Sequence, residues 1–221
     1  MNERTDAIVL CGPVVPTSRV LGRLTPGALV IAADVGYRQA AALGLQVDVL
    51  VGDLDSLDAD EVASARRVGA RVERHATDKD ATDLELALDL AAVSNVDRVV
   101  VVDGGVGPRV DHFIANALLL ANPRYAAMEV FAALGEAWIS VVRGGTVPVE
   151  LFGARGSTVT LLPVGGSAES VHTEGLRWQL CGADLKPSST RGVSNEMTDD
   201  RATVRLARGT LLAVQPEDDA Q

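Results

Sequence analysis

The stretch VDVLVGDLDSLDAD, residues 47–60, runs out of an apolar segment into five carboxylates counted from Asp48. Asp53 and Asp55 stand two apart where a strand should stop, and Ser56 follows them. Other carboxylates occupy comparable places: Asp34 follows LVIAA, Asp80 and Asp83 lie in ATDKDATDLELAL, and Asp111 lies in DGGVGPRVDHFIANALLL. Such oxygens are the usual ligands of Mg2+, and several brought together unpaired would repel one another and oppose folding. A divalent ion shared with a polyphosphate supplies the missing positive charge. Beside Asp111, Gly104, Gly105 and Gly107 let backbone approach a phosphate closely, and Arg109 offers a planar fork to its oxygens.

Most of these residues also have a local structural reading. Thr82 to Glu85 spells a capping box, and Asp83 in the first turn of a helix is favourable without a metal. Asp111 reads equally as an N-cap, Asp34 as turn chemistry, and Asp58 with Asp60 as the start of a solvated helix. Asp53 with Asp55 has no such purpose. His112 is placed to contact a ligand, whereas His75 and His172 have no metal-ligand spacing. A P-loop, a Ser-His-Asp order, CxxC and HExxH are all missing from the sequence.

Positioning these groups requires a sheet. The first part alternates apolar β-branched runs (AIVLCG, ALVIAAD, VDVLVGD, ARVERH, RVVVVDGG, AMEVFAAL) with helical patterns (GYRQAAALGL, DADEVASARRVG, TDLELALDLAAV, DHFIANALLLAN). That alternation predicts an α/β N-terminal domain with a mainly parallel sheet flanked by helices, residues 1–136. Leu84, Ala87, Leu88 and Ala91 give one helix its sheet-facing stripe. Ligands of such sheets bind outside the carboxyl ends of the strands, where every acidic feature above falls. From 137 to 221 short alternating runs and Gly-rich turns predict an all-β sandwich domain: AWISVVRGG, TVPVELFG, STVTLLP, ESVHTEG, LRWQL, ATVRLA and TLLAVQ, with a frayed acidic tail.

Within the second domain, Trp178 stands out in a chain that is only 3% aromatic. Alternation along LRWQL puts its ring in the sandwich core; the other reading is a flat face that stacks on a cationic or heteroaromatic ligand. Ser194 and Asn195 in RGVSNEM either orient such a ligand or are plain turn composition.

The net charge of −10, with two lysines, argues against a nucleic-acid partner. The N-terminal stretch MNERTDAIVLCGPVVP has too short an apolar run for a signal peptide or membrane span. Cys11 and Cys181 have no metal-type spacing. A cytoplasmic location is expected, with no membrane partner.

ADVGYRQAAALGLQVDVLVGDLDSL, DKDATDLELAL, GGVGPRVDH, GLRWQL and RGVSNE, in that order over nearly the whole chain, resemble the thiamine pyrophosphokinase family. The resemblance implies a homodimer with its active site at the subunit interface, and diphosphoryl transfer from MgATP to the hydroxyl of thiamine, giving AMP and thiamine diphosphate. It implies a metal held by Asp53, Asp55 and Asp83, with Arg109 and Asp111 completing the catalytic set. Asp34, Ser56, Asp80, Thr82, Arg109 and His112 would line the nucleotide side, and Trp178, Ser194 and Asn195 the thiamine side. Where the family often has GGR, this chain has Gly107-Pro108-Arg109, so one backbone N–H is lost. Two rival readings remain at this stage: a Mg2+-dependent phosphohydrolase with Asp53 as nucleophile, and a non-catalytic thiamine or nucleotide sensor.

Overall fold

The computed structural model describes residues 5–12, 14, 22–103 and 109–216. Gly104, Gly105, Gly107, Pro108 and the tail beyond Pro216 lie outside the described residues. The chain divides into two compact units, Met1–Leu119 with Ala127–Glu136, and Leu120–Ala126 with Ala137–Gln221.

The first unit is built on six strands: β1 (Asp6–Leu10), β2 (Leu29–Ala33), β3 (Val49–Gly52), β4 (Arg71–Arg74), β5 (Arg98–Asp103) and β6 (Glu129–Leu134). All their pairings are parallel, in the order β4-β3-β2-β1-β5-β6. Among the described residues, four helices join successive strands from β2 onward: α1 (Gly36–Ala42), α2 (Ala59–Arg67), α3 (Asp83–Val93) and α4 (Val110–Leu119). Strands covered on both faces read as unbroken apolar runs rather than alternating ones, and Val99 to Val102 of β5 are all buried. The edge strand β4 carries Arg71, Glu73 and Arg74, charges that discourage pairing with another chain.

The helices form where the sequence signals them. Asp58 caps α2 in a full capping box with Glu61, as expected of a solvated helix start. Thr82 caps α3 by accepting from the Glu85 N–H at 3.2 Å. The stripe Leu84, Ala87, Leu88 and Ala91 is buried. Asp111 is not an N-cap: it lies inside the first turn of α4 and pairs with Arg109.

Gly36 opens α1 where the helix crosses β1. A Cβ at this position would lie 2.0 Å from the Leu10 carbonyl oxygen, so backbone and not a flexible side chain blocks it.

The second unit holds β7 (Ala137–Arg143), β8 (Val149–Phe152), β9 (Thr158–Pro163), β10 (Ala168–Glu174), β11 (Cys181–Leu185), β12 (Asn195–Glu196), β13 (Arg201–Arg205) and β14 (Thr210–Gln215). They form two antiparallel layers, β12-β9-β14-β7 and β11-β10-β13-β8. Leu151, Leu161, Val171, Leu185, Met197, Val204 and Leu211 fill the core between them. Arg143 donates to the carbonyls of Leu120, Ala121 and Asn122, which ties the 120–126 segment to this unit.

One strand expected from sequence does not form. LRWQL is a loop with a single bridge, Leu176 to Met197, and the strand lies beyond it at Cys181–Leu185. Leu176 is the buried anchor of that loop; Trp178 is 53% exposed, which overturns the core reading of its ring.

Gly36→Ala is expected to destabilise the protein by about 1–3 kcal/mol through overpacking. A denaturant midpoint equal to that of the wild type would count against this packing account.

Candidate active site

Register sets the site. In the β2–β3 pair Ala33 stands opposite Val51, and the Asp34 N–H extends the pairing by donating to the Val51 carbonyl at 2.9 Å. Asp34 and Asp53 therefore leave neighbouring strands within one or two residues of their last pairing. Asp83 arrives from the first turn of α3. One carboxylate oxygen from each of Asp34, Asp53 and Asp83 lies within 4.8 Å of the others.

The backbone here is unusual. Asp34 and Leu54 have positive φ, 44° and 61°, and Gly52 has φ 140°. A Cβ on Gly52 would come within 3.1 Å of Asp83 Oδ1, so glycine leaves room for that carboxylate. Leu54 is buried at 3% exposure and anchors the loop between Asp53 and the exposed Asp55. Strained conformations of this kind persist where the surroundings over-determine them.

Lys79 is the local cation. Its ammonium lies 3.0 Å from Asp83 Oδ1 and 3.4 Å from Asp53 Oδ2. Burial pushes the Asp53 carboxyl upward, but the Asp55 N–H, the Lys79 charge and the Thr77 hydroxyl outweigh it and hold this group below its usual range. Asp83 is raised: burial leads, and the Asp53 and Asp34 charges add to it against the Lys79 pairing. Asp34 is only 7% exposed, and its Oδ1 is buried without a hydrogen-bond partner. An orphaned buried carboxylate oxygen facing two more carboxylates, in an all-oxygen set, fits a hard divalent cation.

Other expected residues fall around this centre or apart from it. The group of three contains Asp34, where the sequence reading put Asp55. The Asp55 N–H donates to Asp53 Oδ1 at 3.3 Å, and its carboxylate accepts from the Ser56 hydroxyl at 3.2 Å. Asp80 is exposed, and the Thr82 hydroxyl is engaged as a helix cap. Arg109, Asp111 and His112 form a separate exposed cluster: Arg109 Nη2 is 2.6 Å from Asp111 Oδ2 and 2.8 Å from His112 Nε2. The Arg109 guanidinium holds the Asp111 carboxyl far below the usual carboxylate range.

Two residues were missed. Lys79 had a signal, since it precedes Asp83 by four residues. Arg38 had none: from α1 it donates to the Ser56 carbonyl at 3.0 Å and to both Glu61 oxygens, pinning the aspartate loop to two helices.

In the second unit Asn195 is buried, and both its amide oxygen and its amide nitrogen are hydrogen-bonded. It accepts from the N–H groups of Trp178 and Glu196 and donates to the Trp178 carbonyl. These bonds hold the Trp178 backbone. The indole stays exposed, with the Arg177 guanidinium 4.8 Å from its ring centre. Ser194 is exposed at φ 57°, and its N–H is held by Thr160 Oγ1.

A family model described as the thiamin pyrophosphokinase catalytic domain matches residues 24–132, and one described as the thiamin pyrophosphokinase vitamin B1 binding domain matches 147–211. The chain belongs to the thiamine pyrophosphokinase family. A relative named thiamine pyrophosphokinase from Bacillus subtilis is 25% identical over 215 residues, 97% of this chain and 100% of that protein. Its fold is shared with the crystal structure of thiamine pyrophosphokinase from Bacillus subtilis, with TM-score 0.82 at 24% identity over 97% of this chain and 100% of that one. The same holds for thiamin pyrophosphokinase from Candida albicans, with TM-score 0.75 at 14% identity over 97% and 90%. The phosphohydrolase and sensor readings find no support in these relatives.

Arg38 and Glu61 give a pH test of the loop clamp. The Arg38 partnership, with the Asp58 N–H behind it, lowers the Glu61 carboxyl from 4.5 to about 2, so these contacts contribute stability above pH 4.5 and lose it as pH falls toward 2. Glu61→Gln should therefore melt below the wild type at neutral pH, with the gap closing through that window. A gap independent of pH in thermal melts would contradict this assignment.

Proposed function

We propose that this chain transfers the diphosphoryl group of ATP to the hydroxyl of thiamine, giving AMP and thiamine diphosphate. The observation that carries the reading is the convergence of Asp34, Asp53 and Asp83 around a buried, unpartnered carboxylate oxygen. In this reading residues 1–136 serve ATP and Mg2+, and residues 137–221 serve thiamine. Asp34, Asp53 and Asp83 hold the metal, which when bound would neutralise charge on phosphate oxygens.

The chemistry is an in-line displacement. The thiamine hydroxyl oxygen forms a bond to the β-phosphorus, the bond from that phosphorus to the α,β-bridging oxygen breaks, and AMP leaves. Such transfer asks for positioning and charge neutralisation more than for a covalent nucleophile. Asp55, exposed two residues beyond Asp53, is assigned to accept or orient the hydroxyl proton. Asp111 is the poorer base, because its pairing with Arg109 lowers its proton affinity. Arg109 and His112 are assigned to the nucleotide phosphates together with Ser56, Asp80 and the cap of α3 at Thr82. On the second unit the exposed indole of Trp178 is assigned to stack on thiamine, an aromatic cation, with Ser194 beside it and Asn195 fixing the loop.

A homodimer with its active site at the subunit interface belongs to the same reading. Helix α4 buries no residue, and Val110, Ile114 and Leu118 form an exposed ridge at i, i+4 and i+8, the pattern of a face that expects a partner. A cytoplasmic location is part of the same proposal. Among the described residues no helix is long and apolar enough to cross a membrane.

Purified protein with ATP, Mg2+ and thiamine should form AMP and thiamine diphosphate in equal amounts by mass spectrometry. Asp53→Asn should lose most of this activity, by about 100-fold or more for a lost charge-stabilising group, and a chelator should stop it. AMP without the thiamine ester would instead indicate nucleotide hydrolysis. For the ridge, Ile114→Glu should convert a dimer to a monomer in sedimentation velocity; a wild type that sediments as a monomer would remove the dimer from the proposal.

A further inference from the structure

The carboxylate centre contains a cation of its own, and its position bears on how a metal enters. Lys79 bridges Asp53 and Asp83, at 3.4 and 3.0 Å, through two of the three side chains assigned to the metal. The bridge is enclosed, because the Lys79 side chain is 16% exposed and that of Asp53 12%. Asp34 Oδ1, the third oxygen, keeps no hydrogen-bond partner. The ammonium therefore pairs with two of the carboxylates and makes no hydrogen bond to the most buried one. Asp83 Oδ1, at 3.0 Å, is the nearer of the two oxygens that the ammonium meets.

We infer that Lys79 is a displaceable internal counter-ion: it holds Asp53 and Asp83 together in the metal-free chain, and a divalent cation entering among Asp34, Asp53 and Asp83 must evict it. The inference rests on the metal site proposed above. Lys79 lies in the irregular segment ahead of the Thr82 cap, on a flexible four-carbon stem, so the ammonium leaves by side-chain rotation while α3 stays in place. Eviction costs the ion pairs. That cost weakens the site for a free metal ion. It is offset when the metal arrives with a nucleotide, because phosphate oxygens accept the expelled ammonium at the edge of the site, where lysine serves as a point charge. Lys79 thus favours the metal–nucleotide complex over the bare ion.

The test uses Mn2+ as probe, with binding followed by electron paramagnetic resonance and stability by thermal melting in chelator. Lys79→Met should melt lower than the wild type without metal, bind free Mn2+ about tenfold more tightly once the competing cation is gone, and gain more melting temperature from Mn2+. Lys79→Arg, which keeps the charge on a bulkier head, should bind free Mn2+ no more tightly than the wild type, and serves as the comparison if the methionine variant does not fold. Adding the non-hydrolysable α,β-methylene analogue of ATP should raise Mn2+ affinity more for the wild type than for Lys79→Met. Equal or weaker Mn2+ binding by Lys79→Met, or an arginine variant that binds Mn2+ tightly, would overturn the inference while leaving the metal site intact. A wild type that binds no Mn2+ with or without the analogue would remove the metal site and the inference with it.

Discussion

Three carboxylates within 4.8 Å at the rim of one sheet impose the constraint that the rest of this structure answers. Two like charges about 4 Å apart repel by about 4 kcal/mol at the effective dielectric of a protein surface, and a third adds two more such pairs. The fold holds them there regardless. Parallel pairing of β2 with β3 is set by apolar residues buried on both faces, and that register delivers Asp34 and Asp53 side by side. Helix α3 adds Asp83 through a stripe packed beneath it. Hydrophobic burial distributed over the sheet thus opposes local electrostatic repulsion, and Lys79 offsets part of what is left.

Rigidity of the loop matters as much as the charges. Asp53 and Asp55 are separated by one buried leucine in a left-handed conformation, so the two carboxylates of GDLDS leave the chain in different environments. One joins the enclosed centre; the other faces solvent. Arg38 holds the loop from outside by linking the Ser56 carbonyl to Glu61 on α2. The second unit uses a comparable device. Asn195 spends its side chain on backbone groups, so that the flat, exposed indole of Trp178 is presented by a loop with little freedom.

Much of this was legible in the sequence, for identifiable reasons. Apolar runs such as RVVVVD mark doubly covered strands, and TDLELALDLAA carries both a cap and a stripe, so the α/β unit could be read from period and punctuation. The rim position of the acids followed from strand-end logic. LRWQL was misread because Leu176 and Trp178 alternate like strand residues, yet only Leu176 is a core anchor, and the segment turns away at Gly175, whose φ is 72°. The substitution of Asp34 for Asp55 in the carboxylate group was not legible, since it depends on the left-handed backbone at Leu54. Nor was the Arg38–Glu61 clamp, whose partners are 23 residues apart on different helices.

An acidic chain that handles a polyphosphate must solve a long-range problem, because a net charge of −10 repels what it proposes to bind. The two cations assigned to its phosphates, Lys79 and Arg109, are both already paired with aspartates. In the proposed reading, binding becomes an exchange of partners: phosphate oxygens would take over Lys79 and Arg109, while a divalent ion would take over carboxylates that Lys79 releases. Such an exchange leaves few charges uncompensated at any stage, which is the condition for holding a compact acidic centre together both with and without its ligand. It also explains why the counter-charge is lysine at the enclosed position and arginine at the open one. The ammonium is compact enough to sit between two carboxylates and supple enough to leave, whereas the guanidinium keeps a planar fork for oxygens arriving from solvent.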